Sequence, residues 1–206
     1  MGARPASFQT ETSLALSPPK RKYLERILRN AESTITLVSR IFEPYRQAER
    51  EQINVNRLIE EAVNLIGVQD DVEINLALSQ QLPDVLTETH GLVSVFQELI
   101  INALKAVRRV SEPRRIEITS RSEDVEYVEI LFTNNGPPIP REHWETIFEL
   151  FAIGNESMHE PEGFGWGLWG SRVFIKRQDG DIVVLESNEN TTTFIVRIPV
   201  ASQQEE

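Results

Sequence analysis

The sequence predicts an α+β two-layer sandwich, a mixed β-sheet with helices packed on one face, preceded by a long N-terminal helix. Three observations predict it. From Thr89 to Val110 apolar residues recur every three or four positions, the period of a helix facing a core. Before and after that helix, short segments alternate apolar and polar residues and are bounded by charged or Gly- and Pro-rich turns, as strands are. A second helical period, from Lys20 to Glu43, stands apart from both.

The elements follow in order. Residues 1–19 carry Pro5, Pro18, Pro19 and several Ser and Thr with little periodicity, and are expected to form a disordered tail. Leu24, Ile27, Leu28, Ala31, Ile35, Val38, Ile41 and Phe42 make an amphipathic stripe that Pro44 stops. That stripe runs roughly 35 Å at the helical rise. It finds no globular partner within its own segment, so residues 20–52 are expected to act as a dimerisation arm, with a homodimer forming through residues 20–43. Asn54 or Asn56 caps a helix carrying Leu58, Ile59, Ala62, Val63, Leu65 and Ile66, and Gly67 ends it. Val72 to Leu78 reads as a strand. So do Ile116 to Ser120 and Tyr127 to Thr133, split by the charged turn from Ser122 to Asp124. Residues 134–167 form a glycine- and proline-rich stretch holding one short helix near Arg141 to Phe148. A helix from Leu168 to Arg177 and a closing antiparallel pair, Asp181 to Glu186 with Thr192 to Val200, complete a domain over residues 53–200, followed by a short tail at 201–206.

Composition excludes several classes of function. The chain has 206 residues, 40% of them hydrophobic, enough for a substantial core. Against 21 basic residues stand 32 acidic ones, a net charge of −11 that repels phosphate backbones, so nucleic-acid binding is not expected. Any polyphosphate bound here needs backbone amides, a metal ion or a few placed cations. There is no cysteine, which removes disulfides and thiolate metal sites and agrees with a cytoplasmic location. No apolar run is long enough to span a bilayer, so direct membrane insertion is not expected.

Chemistry concentrates at three places. On the helix from Thr89, Leu92, Val95, Leu99, Ala103 and Ala106 form the core stripe, while Glu98, Asn102 and Lys105 fall on a separate one. An amide oxygen suits a hydrated magnesium ion, an ammonium suits a phosphate, and a carboxylate can orient a hydroxyl or a water. The same column also suits an ordinary solvated helix face. Directly after a strand comes Thr133-Asn134-Asn135-Gly136-Pro137-Pro138-Ile139-Pro140, where Gly136 allows a positive φ or a close ligand approach. Further on, Gly163-Phe164-Gly165-Trp166-Gly167-Leu168 leads into a helix whose free amides can cradle phosphate.

Taken in series, these segments resemble the ATPase superfamily shared by histidine kinases, gyrase B subunits and MutL mismatch-repair proteins, and most of all the histidine kinases. Gln97 to Ala106 looks like their asparagine box, Asn134 to Pro140 like the first glycine box, Phe148 to Phe151 like the phenylalanine box, and Gly163 to Leu168 like the second glycine box. Gly180 to Ile182 with Thr192 to Val196 resembles the closing hairpin, and Tyr23 to Glu32 the second helix of the dimerisation and phosphotransfer hairpin. The resemblance implies a Bergerat-type fold that binds ATP with Mg2+ and passes the γ-phosphoryl to a histidine. Asn102 would hold the magnesium ion, Lys105 would approach the phosphates, and Glu98 would act catalytically by polarising the accepting nucleophile. Asn134 would meet the adenine amine; Gly136, Gly163, Gly165 and Gly167 would bound the pocket, with Ile139, Phe151 and Leu168 from the same boxes counted in the nucleotide-binding set.

The sequence departs from that pattern at four points. Asn134 stands where the family has Asp, and Pro138 where it has a second glycine. Residues 152–162 carry Glu156, Glu160 and Glu162 but no Lys or Arg. None of the three histidines, His90, His143 and His159, lies upstream of Leu24, so the acceptor is expected on another chain or segment, with a response regulator as a further partner. Two other readings therefore stay open: a nucleotide-binding pseudokinase that acts as a dimeric interaction module, and a hydrolysing ATPase of the gyrase or MutL type.

Overall fold

A computed structural model describes residues 49–67, 70–123, 126–149 and 167–201. The chain divides into two units, Met1–Glu43 and Pro44–Glu206, and every described residue belongs to the second. The expected tail at residues 1–19 and residues 20–48 of the arm expected at 20–52 lie outside the described residues; Glu51 and Gln52, the last residues of that arm, are in a strand rather than a helix.

In chain order the elements are β1 (Glu51–Ile53), α1 (Val55–Ile66), β2 (Glu73–Leu78), β3 (Val85–Thr87), α2 (Thr89–Val107), β4 (Arg115–Arg121), β5 (Tyr127–Asn134), α3 (Gly167–Lys176), β6 (Asp181–Ser187) and β7 (Thr192–Pro199). Five strands form one sheet in the order β2-β4-β5-β7-β6. β2 runs parallel to β4 and every other pairing is antiparallel, so the sheet is mixed. β4 and β5 alternate between buried and more exposed positions along their whole length, because one face meets helices and the other does not. Ile116, Ile118, Val128, Ile130 and Phe132 supply the sheet side of the core, and Phe96 of α2 packs on Phe132 at a ring separation of 5.7 Å. This is the two-layer α+β sandwich that the periodicities predict.

Local chemistry fixes the element ends. Asn54 is the cap of α1: its Oδ1 accepts from the Asn56 amide at 3.0 Å. Asn56 has a different task, donating through Nδ2 to the Ser79 carbonyl at 2.8 Å and accepting from the Ser120 hydroxyl at 2.7 Å, which ties α1 to the ends of β2 and β4. α2 is buried more widely than its predicted stripe. Phe96, Ile100, Leu104 and Val107 join Leu92, Val95, Leu99 and Ala103 in the core, whereas Ala106 is only half-buried. The helix is covered by the sheet, by α1 and by α3.

Three further differences from the sequence reading have physical causes. β1 and β3 pair antiparallel in a separate ribbon that periodicity did not indicate, since three residues each are too few to show alternation. The short helix expected at residues 141–148 is a pair of 3-10 turns, Arg141–His143 and Thr146–Phe148, in a segment too short to complete α-helical hydrogen bonding. On β2, Leu76 is exposed despite the alternation, because β2 is an edge strand that the helices cover incompletely. Among the described residues no helix is long and apolar enough to cross a membrane.

Candidate functional site

α2 supplies one wall of the site. Glu98 and Asn102 are one turn apart on it, and the Asn102 side-chain nitrogen donates to Glu98 Oε1 at 3.1 Å. With its nitrogen engaged there, Asn102 keeps its amide oxygen, a hard donor with no partner among the described residues. Lys105 follows on the same helix, half-buried.

Two glycine-bearing segments meet this wall. At its C-terminal end the turn after β5 comes against α2: a Cβ added at Gly136 would lie 2.6 Å from Ala106 Cβ, 2.8 Å from the Ala106 carbonyl carbon and 2.8 Å from Asn134 Oδ1. The φ of Gly136 is not in the left-handed region. Glycine is required here because α2 fills the space, rather than for a positive φ. Just over two turns back, Gly167, the first residue of α3, lies against the Glu98 carboxylate. Glu98 and Ala106 are eight residues apart, about 12 Å along the axis. The structure thus brings Glu98, Asn102, Gly136 and Gly167 to one helix.

Asn134 ends β5 and is buried. Its Oδ1 accepts from the Gly136 amide at 2.9 Å, an Asx turn, and its Nδ2 donates to the Thr192 carbonyl of β7 at 3.3 Å. One N–H and one lone pair remain for a ligand edge. Ile139 is half-buried against the core, and its amide donates to Ser187 Oγ at 2.7 Å, while Ser187 and Thr192 share a hydroxyl hydrogen bond of 2.7 Å. Ser187 and Thr192 were absent from the sequence-predicted set. They lie in strands whose hydroxyl residues look like ordinary pleat positions, and only the register Asn134↔Thr192 places them beside Asn134.

Asn135 has a structural role. Its Oδ1 accepts from the Arg115 amide at 2.8 Å and its Nδ2 donates to the Pro113 carbonyl at 2.7 Å, locking the turn to the start of β4. Phe148 is buried, edge-on to Phe194 at 6.2 Å, and the Arg172 guanidinium sits over its ring at 4.9 Å. Leu168 is half-buried against the core. Trp169, with Phe148, Arg172 and Val173, lines an open groove of about 440 Å³. His90 is exposed and His143 half-buried. Phe151, Gly163, Gly165, His159 and the acidic run at 152–162 lie outside the described residues. Glu88, just before α2, has its carboxyl pushed above the usual range by burial, an effect that His90 and Arg50 partly oppose.

Fold and site together define an ATPase domain of the two-layer type. Residues 87–202 match the model of the histidine kinase-, DNA gyrase B- and HSP90-like ATPases, more than half of the chain, and the chain belongs to that family. It is similar to the sensory histidine kinase/phosphatase NtrB of Vibrio alginolyticus, 26% identical over 97% of this chain and 58% of that protein. Against an adaptive-response sensory kinase SasA of Prochlorococcus marinus it is 29% identical over 63% of this chain and 33% of the other. Among solved structures, the catalytic domain of histidine kinase ThkA superposes with a TM-score of 0.64 and 29% identity, covering 74% of this chain and 97% of that one. ThkA in complex with the response regulator TrrA gives 0.63 and 25%, covering 92% and 54%. The chain spans from about a fifth to three-fifths of the length of the first curated relatives it matches.

Proposed function

We propose that this chain is the ATP-binding catalytic part of a sensor histidine kinase, transferring the γ-phosphoryl of ATP to a histidine on another chain or segment. One observation carries the reading. Glu98 and Asn102 are hydrogen-bonded on one edge of α2, and that helix is approached by Gly136 near its C-terminal end and by Gly167 at its middle.

The donor set fits magnesium and a nucleotide. Among the described residues no group of three His, Cys, Asp or Glu could cage a metal. A single amide oxygen, from Asn102, suits an ion that keeps most of its coordination for phosphate oxygens and water. When bound, Mg2+ would spread and neutralise phosphate charge. Asn134 offers one donor and one acceptor to a purine edge, and its Asx turn and the Thr192 carbonyl hold it in place. Lys105 stands one turn beyond Asn102 and supports the phosphate end. In the transfer, the N–P bond to the acceptor imidazole forms as the P–O bond to ADP breaks. Glu98 accepts a hydrogen bond from the far ring N–H and so holds the attacking nitrogen's lone pair available. The NtrB relative is a kinase and phosphatase by name, and the ThkA complex holds a response regulator; a response regulator is the corresponding downstream partner here.

Calorimetric titration with ATP, with and without magnesium, tests binding. Label transfer from γ-labelled ATP to histidine-bearing hairpin domains of sensor kinases tests the chemistry. Asn102→Ala is expected to remove the magnesium-dependent part of ATP affinity and to lower transfer at least tenfold; transfer unaffected by that change rejects the reading. The acidic composition of residues 152–162 favours the second reading, a nucleotide-binding module without transfer, which saturable binding with no labelled histidine would select.

A further inference from the structure

The geometry points to Gly167 as a positioning residue: by lacking a side chain it fixes where the Glu98 carboxylate sits. The inference rests on the kinase reading above for its catalytic consequence and on the structure alone for its geometry.

A Cβ added at Gly167 would overlap Glu98 Cδ and Oε1 and stand 2.5 Å from Oε2. The space a methyl group would take is therefore filled by all three atoms of the carboxylate. The same carboxylate accepts from Asn102 Nδ2 through Oε1. It is held on one side by an amide of its own helix and on the other by the bare α-carbon that opens α3. Displacing it from Gly167 also displaces it from Asn102, so one methyl group disturbs both groups assigned to the reaction.

Gly167 differs in kind from the other tight glycines. The neighbours of a Cβ at Gly136 include the backbone of α2, and those at Gly91 are the ring of Phe174, which is buried. Those neighbours are rigid, and a methyl group there strains the fold. At Gly167 the neighbour is the end of a flexible, half-buried side chain that can swing aside. Alanine is also favoured over glycine in a helix. The fold tolerates Gly167→Ala, and what the variant loses is the location of the carboxylate.

The test is a cycle of wild type, Gly167→Ala, Glu98→Ala and the double variant. In nucleotide-free protein, the side-chain NH2 resonances of Asn102 are followed by 15N NMR. Gly167→Ala is expected to shift them toward their position in Glu98→Ala, with an unchanged melting temperature. Transfer to the hairpin domains should fall at least tenfold in turnover rather than in KM for the hairpin, and adding Gly167→Ala to Glu98→Ala should cost nothing more. An Asn102 pair that does not move, or losses that multiply in the double variant, would each overturn the inference. If the wild type binds ATP but labels no histidine, the kinase reading fails, and the NMR shift still decides the role of Gly167.

Discussion

Replacing Gly136 with alanine should cost the fold far more than the same change at Gly167, and the structure gives the size of the difference. The added methyl carbon would sit 2.6 Å from Ala106 Cβ and 2.8 Å from the Ala106 carbonyl carbon, distances that real Cβ atoms essentially never show. Relief requires moving the turn after β5 away from α2, because α2 is anchored by Phe96, Leu99, Ile100 and Leu104 in the core. Overpacking of this kind costs about 1–3 kcal/mol. Moving the turn also breaks the 2.9 Å hydrogen bond from the Gly136 amide to Asn134 Oδ1, worth about 1 kcal/mol. Against this, alanine restricts the unfolded chain and returns roughly 0.4–1 kcal/mol. The net is about 2–3 kcal/mol, or roughly 5–10 °C in melting temperature for a domain of this size. Far-UV circular dichroism melts and urea titrations of Gly136→Ala beside Gly167→Ala measure it. If Gly136→Ala melts within about 1 kcal/mol of wild type, the close packing of the turn on α2 is wrong, and with it the placement of Asn134.

Two other outcomes follow from the same structure. Gly91→Ala in the first turn of α2 overlaps the Phe174 ring of α3, with Cζ at 2.5 Å, and should destabilise the domain by about 1–3 kcal/mol. Trimming the ring with Phe174→Leu in that background should recover part of the loss, and urea unfolding of the pair would show whether the contact between the helices is the cause. Glu88 has a folded-state pKa raised above its ordinary value of 4.5, so the folded chain holds its proton more tightly than the unfolded chain does. Stability from this group is intact below 4.5 and falls as pH rises from there through the folded-state value. Glu88→Gln should therefore be the more stable protein at neutral pH, with the gap closing as pH falls through the same window. A gap independent of pH would contradict it.

Much of this was legible in the sequence because the relevant signals are local. The apolar period of α2, the alternation of β4 and β5 and the asparagine cap of α1 each depend on residues a few positions apart. The spacing of Glu98 and Asn102 placed them on one helix edge, and their hydrogen bond realises it. What escaped depends on contacts distant in sequence. β1 and β3 exist only by pairing with each other across more than thirty residues. The extra buried width of α2 depends on other elements packing against it besides the sheet, α1 among them. Gly136 is recognisable as special from its motif. That its neighbour is Ala106 is a tertiary fact, and so is the meeting of Gly167 with Glu98 across 69 positions.

These contacts assign the metric of the site to a helix instead of to loops. Loops that carry catalytic groups must be held by many weak constraints, and their geometry drifts when one is lost. Here the glycine turn after β5 and the start of α3 are each registered against a named residue of α2, Ala106 and Glu98, by contacts made at a bare α-carbon. The distance between the two registers is set by the rise of eight helical residues, about 12 Å, which side-chain changes on the buried face of α2 cannot alter without unwinding it. Substitutions that merely loosen α2 in its bed, such as Leu99→Ala, should therefore lower stability by about 2–5 kcal/mol while moving both ends together. In molecules that remain folded, the relation of Glu98 and Asn102 to the two glycine turns should change little, whereas one methyl group at Gly167 should leave stability intact and break that relation.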